Sequence, residues 1–385
     1  MKPSLASTAL AFRPFFLLGG AGAAAMLAWW LLIFRGAVPA PPHYGAADWH
    51  AHSMIFGFAA AVIAGFVLTA SANWTGRPAA RGGRVWLLAG IWLAGRVLPV
   101  LPDLAGRILL FCDLFFFVWL ARLLLPFLAS RAQRRNWWFF LYCILMILAA
   151  LGYHTGGVAG LPAGPMAMRF ALDATLLIVL LIGGRVVPAF SRPVLGGQPA
   201  KTWPVLERIA MPLVLAFVLA RTLLPFGQTE MLLAWANAFV HGLRLILWFR
   251  PAILGRPILW VLYSGWLWMV LGFVLTGLAA RGMVSHSVAL HTFTVGGLGV
   301  LVYAMMSRVS LGHTGRPLNA SRLVVAGYIL INVSAFCRTL LPTMWPELYL
   351  QAVLVAGILW VAAFIIFLVH YIPVLTTPRV DGKPG

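Results

Sequence analysis

Nine histidines carry most of the chemical potential of this 385-residue chain: His43, His50, His52, His154, His241, His286, His291, His313 and His370. Imidazole is a common ligand of haem iron and copper. An ionisable side chain in an apolar segment is costly enough to suggest a function. The densest group is Trp49-His50-Ala51-His52-Ser53-Met54. On a regular helix His50 and Met54 share a face, while His52 points almost oppositely. One cofactor therefore takes one of these two histidines, and the other is left for a second metal or a hydrogen bond. Both also fit interfacial histidines satisfied by water. His291, deeper in an apolar run, reads as a ligand. His154, beside Tyr153, and His286, at a helix mouth, read equally as ligands or as structural residues. His241 lies mid-span with Arg244 one turn on, and reads as a ligand or as a hydrogen bonder between helices. His313 and His370 read as structural.

A repeat aligns two of these histidines. Arg96-Val97-Leu98-Pro99, Arg221-Thr222-Leu223-Leu224-Pro225 and Arg338-Thr339-Leu340-Leu341-Pro342 close three apolar runs. The runs before them end in Thr75-Gly76-Arg77-Pro78, Ser191-Arg192-Pro193 and Thr314-Gly315-Arg316-Pro317. Within that frame His52 lies 23 residues before Thr75, and His291 lies 23 residues before Thr314. Two equivalent imidazoles at one depth suit axial ligation of a planar metallocofactor. Arg96, Arg221 and Arg338 need partners, either cofactor carboxylates such as haem propionates or helix-end carbonyls. Asp113 and Asp173 are expected to pair with such arginines or to pass protons, and pairing is the simpler role. Arg122, Arg185 and Arg244 are expected to snorkel toward the membrane surface.

The elements that must position these groups follow from composition. The chain is 62% hydrophobic and 9% charged, with a mean hydropathy of +0.94. So few polar side chains cannot coat a soluble globule, which would carry about 25% charged residues. Twelve runs are long enough to span a bilayer, near 14–34, 51–72, 85–102, 108–128, 137–153, 168–190, 209–226, 231–249, 257–280, 287–307, 323–342 and 348–373. The first reads as a retained anchor rather than a cleaved signal. The net charge of +20 comes from scarce acids and from cations spread among loops, which argues against nucleic acid. With the N-terminus inside, inner segments hold 18 Lys and Arg, Lys2 and Arg13 among them, and outer loops hold 4. That asymmetry predicts both termini in the cytoplasm. By this topology His43, His50, His52, His154, His286 and His291 fall at or near the outer face. The expected fold is an all-α polytopic membrane protein of 12 transmembrane helices. Its single integral domain would hold three pseudo-symmetric four-helix units, roughly 1–130, 131–250 and 251–385, around an axis along the membrane normal. Cys112, Cys143 and Cys337 read as small buried hydrophobes. No Walker loop, dinucleotide fingerprint, zinc-ribbon spacing or nucleophile elbow occurs.

The sequence resembles the NnrS family of haem- and copper-containing membrane proteins. The resemblance is carried by Phe12-Arg13-Pro14-Phe15-Phe16, by the stretch from Trp49-His50-Ala51-His52-Ser53-Met54 to Thr75-Gly76-Arg77-Pro78, and by Gly183-Gly184-Arg185-Val186-Val187-Pro188. A fourth stretch runs from His291-Thr292-Phe293-Thr294 through Arg308-Val309-Ser310-Leu311-Gly312-His313 to Pro317. The resemblance implies twelve helices, haem, copper and a role in bacterial handling of nitric oxide. The family pattern has an acid where this chain has Ser53, and a histidine where it has Tyr263. A weaker similarity joins the chain to the catalytic subunit of haem-copper oxidases, with His52 or His50 and His291 matching its haem ligands on helices two and ten. The oxidase copper ligands on helices six and seven have no counterpart here.

These readings predict a haem-containing protein of the bacterial inner membrane that binds nitric oxide, or another small gas, and detoxifies or reduces it. Haem iron would be held by His291 with His52 or His50, and Arg96, Arg221 and Arg338 would serve the cofactor. Copper or another metal would draw on His50, His52, Met54, His154, His241, His286 and His291. Membrane lipid and an unidentified electron donor are the expected partners. A non-enzymatic nitric oxide sensor or scavenger is the alternative, and a transporter a third.

Overall fold

A computed structural model describes residues 10–101, 106–156, 163–193, 196–224 and 227–383. Lys2, Pro225 and the last residues of the predicted runs 85–102 and 209–226 lie outside them. Among the described residues there are twelve long helices, one for each predicted run. They are α1 (Phe12–Phe34), α2 (Ala46–Thr75), α3 (Gly83–Val97), α4 (Gly106–Leu128), α5 (Trp138–Thr155) and α6 (Gly164–Ser191). The remainder are α7 (Pro204–Leu223), α8 (Gln228–Trp248), α9 (Pro257–Ala280), α10 (His286–His313), α11 (Arg322–Met344) and α12 (Tyr349–Thr376). The protein is an all-α polytopic membrane protein, and eleven helices are long and apolar enough to cross a bilayer. The exception, α7, carries Glu207, Arg208 and Arg221 within its 20 residues. Among the described residues the β-contact is an isolated bridge between Leu10 and Arg81.

Two helices depart from regular geometry at matching places. In α2 a π-helical stretch, Ser53–Ala59, begins directly after His52. In α10 another, Thr292–Gly299, begins directly after His291. A π turn admits an extra residue and is frequent at functional sites. Both helices also end alike. Gly76 and Gly315 take left-handed φ angles of 67° and 74°, a conformation open to glycine without steric cost. Thr75 and Thr314 return their hydroxyls to the carbonyls of Ser71 and Ser310, at 2.8 and 2.7 Å.

The chain forms two compact units. One comprises residues 1–175, 309–317 and 367–385, the other 176–308 and 318–366. In the first, the Phe12 N–H opening α1 donates to Thr69 Oγ1 on α2 at 3.1 Å, and Trp92 Nε1 on α3 donates to the Gly57 carbonyl inside the π stretch at 2.9 Å. In the second, α9 packs tightly on the π stretch of α10. A Cβ at Gly296 or Gly297 would lie 2.8 Å from Trp268 or 2.5 Å from Met269 Sδ, so a larger residue would force these side chains to shift. Hydrogen bonds between helices add to this. Trp268 Nε1 donates to Asn332 Oδ1 at 3.0 Å, Tyr303 Oη to the Ala363 carbonyl at 2.9 Å, and Ser334 Oγ to the Ala356 carbonyl at 2.7 Å. Such bonds contribute about 0.6–2 kcal/mol each in a membrane.

Candidate metal and cofactor sites

Three helices of the first unit bring side chains to one carboxylate on a fourth. Asp113 projects from the first third of α4 and is 4% exposed. His52 Nε2, from α2, donates to Asp113 Oδ2 at 2.7 Å, and His154 Nε2, from the end of α5, donates to the same oxygen at 3.1 Å. Arg96 Nη2, from the end of α3, donates to Oδ1 at 2.9 Å. A second nitrogen of this arginine, Nη1, lies 3.3 Å from His52 Nδ1. Because a guanidinium only donates, Nδ1 must accept and the ring proton sits on Nε2, facing Asp113. One nitrogen from each imidazole and one carboxylate oxygen lie within 4.8 Å of one another, close enough to hold a metal ion.

The walls of this cluster are aromatic. Phe56 stacks on the His52 ring at 4.9 Å, and Tyr44 lies 5.0 Å from it. Tyr44 comes from the α1–α2 loop and stacks on Tyr153 at 5.9 Å. Burial, then the Asp113 charge, pushes its phenol pKa up, so it stays neutral, and its hydroxyl is buried without a partner. An orphaned polar atom beside two imidazoles and a carboxylate is what a missing ligand or water would satisfy. Tyr44 has no signature in the sequence, since it lies in a loop with no motif around it.

The second unit holds the matching histidine in a different setting. His291 Nδ1 donates to the carbonyl of Ser287, one turn earlier, at 2.7 Å. That bond fixes the tautomer and leaves the lone pair on Nε2, the arrangement typical of metal-ligating histidines. Arg338, from α11, places Nη2 at 3.0 Å from Ser287 Oγ, and at 3.2 and 3.4 Å from the two ring nitrogens. Arg338 Nη1 is buried with no partner.

The remaining candidates are spread out. His50 stacks on Trp30 at 4.7 Å, apart from the Asp113 cluster, while Met54 is half-buried in the π stretch. His286 is exposed as the first residue of α10. His241 is fully buried, with Nδ1 at 3.3 Å from Arg244 Nη1 and Nε2 without a partner. The snorkelling expected of Arg244 is not observed. Arg244 is 4% exposed because Glu207 receives it in a bidentate pair at 3.0 and 2.8 Å, and the Trp248 ring lies 4.7 Å away. His43 Nε2 is buried without a partner. The His313 and His370 rings pack on Phe12 and Tyr371.

The three repeat arginines share one device, which is pairing with the helix that follows. Arg96 meets Asp113 on α4, and Arg221 Nε meets Glu230 on α8 at 3.7 Å. Arg338 meets Tyr349, the first residue of α12, with its guanidinium 5.6 Å from the ring centroid. Asp113 thus has the pairing role expected of it. At the two positions where the chain departs from the family pattern, Ser53 is buried at the start of the π stretch. Tyr263 donates to the Trp248 carbonyl at 3.1 Å and meets Ser191 Oγ at 2.9 Å.

A family model described as NnrS protein matches residues 6–379, nearly the whole chain. No curated protein matches it. The chain belongs to the NnrS family.

Proposed function

We propose that this NnrS-family chain is a haem-bearing protein of the bacterial inner membrane, with both termini cytoplasmic, that binds nitric oxide and reduces it with electrons from an external donor. The observation that carries the reading is the His291 imidazole, oriented by its Nδ1 hydrogen bond to the Ser287 carbonyl directly before a π stretch, with the buried Arg338 guanidinium beside it. Arg338 supports it, because its buried, unpartnered Nη1 would suit a porphyrin carboxylate. Haem would supply an iron coordination position for the gas. His291 would hold that iron from one side, and the apolar packing of Phe293 against Phe273 would favour a small neutral gas over water.

Copper, also implied by the family resemblance, has a donor set in His52, His154 and Asp113, two nitrogens and an oxygen. Binding there requires the His52 proton to leave Nε2 for Nδ1 and Arg96 to rest on Asp113 alone. Without a metal the carboxylate accepts both imidazole N–H groups and the network is closed. The balanced reaction joins two nitric oxide molecules, two electrons from the donor and two protons into nitrous oxide and water.

Metal analysis and a redox optical spectrum of the purified protein test the reading. A haem Soret band, abolished by His291→Ala, is expected. An unchanged band in that variant removes His291 from the ligand set. Anaerobic supply of nitric oxide and reductant should yield nitrous oxide, and binding without turnover would instead establish a sensor or scavenger.

A further inference from the structure

Two motifs that this chemistry leaves unused meet at one place in the first unit. Arg13, from Phe12-Arg13-Pro14-Phe15-Phe16, is 2% exposed. Its Nη1 donates to the carbonyls of Leu375 and Thr377, each at 2.8 Å, while Nε and Nη2 are buried with no partner. Arg316, from Thr314-Gly315-Arg316-Pro317, donates from Nη2 to Thr377 Oγ1 at 3.1 Å, and its Nη1 is buried without a partner. Arg379 joins them, with Nη1 donating to the His313 carbonyl at 2.8 Å. The charges of Arg316 and Arg379 both bear on Arg13.

One carboxylate answers these three cations. Asp381, on the exposed tail after α12, accepts from Arg379 Nε and Nη2 at 2.8 and 2.5 Å. The Arg379 hydrogen bond holds its pKa at about 2, so it is an anion at any working pH. The same carboxylate lies against Gly315, where a Cβ would come within 2.8 Å of its Cγ. Asp381 is thus at the rim of the cluster and leaves the buried guanidinium nitrogens of Arg13 and Arg316 unsatisfied. Buried charged donors without acceptors are costly enough that a fold rarely keeps them unless something supplies the acceptors. A tetrahedral oxyanion brings several acceptors at once, and arginine matches it bidentately.

We propose that Arg13, Arg316 and Arg379 form a binding site for a phosphate-bearing anion, either the headgroup of an acidic phospholipid or free phosphate. The anion enters from the rim by displacing Asp381 from Arg379, so the tail carries a built-in competitor for the site. Arg316 and Arg379, both half-buried, receive it first, and Arg13 lies beneath them.

The test uses the full-length protein in detergent, with inorganic phosphate as one probe and nanodiscs of phosphatidylglycerol or phosphatidylcholine as the others. Affinity is read by thermal shift for phosphate and by native mass spectrometry of co-purifying lipid. Arg316→Gln should weaken binding about tenfold, the loss of one charge-assisted contact. Asp381→Asn should tighten it, because the competitor is gone while every cation stays. A response to phosphatidylglycerol alone identifies a lipid headgroup, and a response to phosphate as well identifies a free anion. The proposal is overturned if neither probe binds, or if Asp381→Asn weakens binding. Haem content plays no part in the readout, so this site and the nitric oxide reading fail separately.

Discussion

His52 and His291 occupy the same step of two matching helices, each directly before a π stretch and each beside a repeat arginine. Their surroundings differ in what they leave undone. Around His52 the protein supplies its own anion, and both ring nitrogens have protein partners. Around His291 no carboxylate plays that part among the hydrogen bonds described, and the arginine contacts the tyrosine that opens the next helix. The two helices thus carry one histidine in a self-neutralised cluster and one beside a guanidinium that is met by a hydroxyl and an aromatic ring. The first resists change through its ion pairs, and the second is where the proposed function would seat its cofactor. The difference teaches that equivalent position in a repeat fixes depth and direction, while the counter-charge on the neighbouring helix decides what each histidine can do.

Removing the carboxylate should show the largest effect. Asp113→Ala leaves Arg96 buried and uncompensated, and breaking a buried ion pair from one side costs about 3–5 kcal/mol. Thermal unfolding of the purified protein should fall by many degrees, or expression should fail. Asp113→Asn keeps the shape and should lose less. A stable Asp113→Ala protein would mean that the cluster is wet and that the contrast with His291 is weaker than the geometry indicates. Arg338→Ala is the counterpart in the second unit. It removes a buried cation whose Nη1 already lacks a partner and whose other contacts are to neutral groups, so stability should change by only about 1–2 kcal/mol. Haem retention should suffer instead, read from the ratio of Soret to protein absorbance. Equal stability losses in the two variants would erase the distinction.

A smaller effect is expected where the chain departs from the family pattern. Tyr263→Phe forfeits the bonds to the Trp248 carbonyl and Ser191 and should cost about 1–2 kcal/mol, without altering the optical spectrum. A spectral change would draw Tyr263 into the cofactor pocket.

Much of this contrast was legible in the sequence, but unevenly. Apolar run length located the helices, because a bilayer demands about 20 apolar residues per crossing, although α7 is not among the eleven long and apolar enough to cross. It underestimated α2 at both ends, since Ala46-Ala47-Asp48-Trp49-His50 continues the helix while being too polar to count as span. The Arg and Thr-Gly-Arg-Pro endings are readable, and His52 and His291, each 23 residues before its Thr, both stand directly before a π stretch. The π stretches were not readable, because a one-residue widening leaves no mark on a run where nearly every residue is apolar. Arg96 and Arg221 were recognised as needing partners, yet their acids, Asp113 and Glu230, follow at different spacings after the helix turn. Only the packing of consecutive helices fixes such pairs. Arg244 was read as snorkelling because its partner, Glu207, lies on another helix.

The finest discrimination lies at Tyr44. Its hydroxyl is buried beside His52 and has no partner, so in a cluster that is complete by itself the oxygen is a burden. Deleting it by Tyr44→Phe keeps the ring contacts with His52 and Tyr153 and removes an unsatisfied polar atom. Stability should then be unchanged or rise by up to about 1 kcal/mol. If copper or an ordered water occupies the His52–Asp113–His154 group and bonds to that hydroxyl, the sign reverses and the variant loses stability. The comparison should be run on metal-loaded and chelator-treated protein. A loss confined to the loaded form would show that the cluster is a metal centre whose fourth neighbour is Tyr44. The same small gain in both forms would show a closed network of two imidazoles, a carboxylate and a guanidinium that needs no metal.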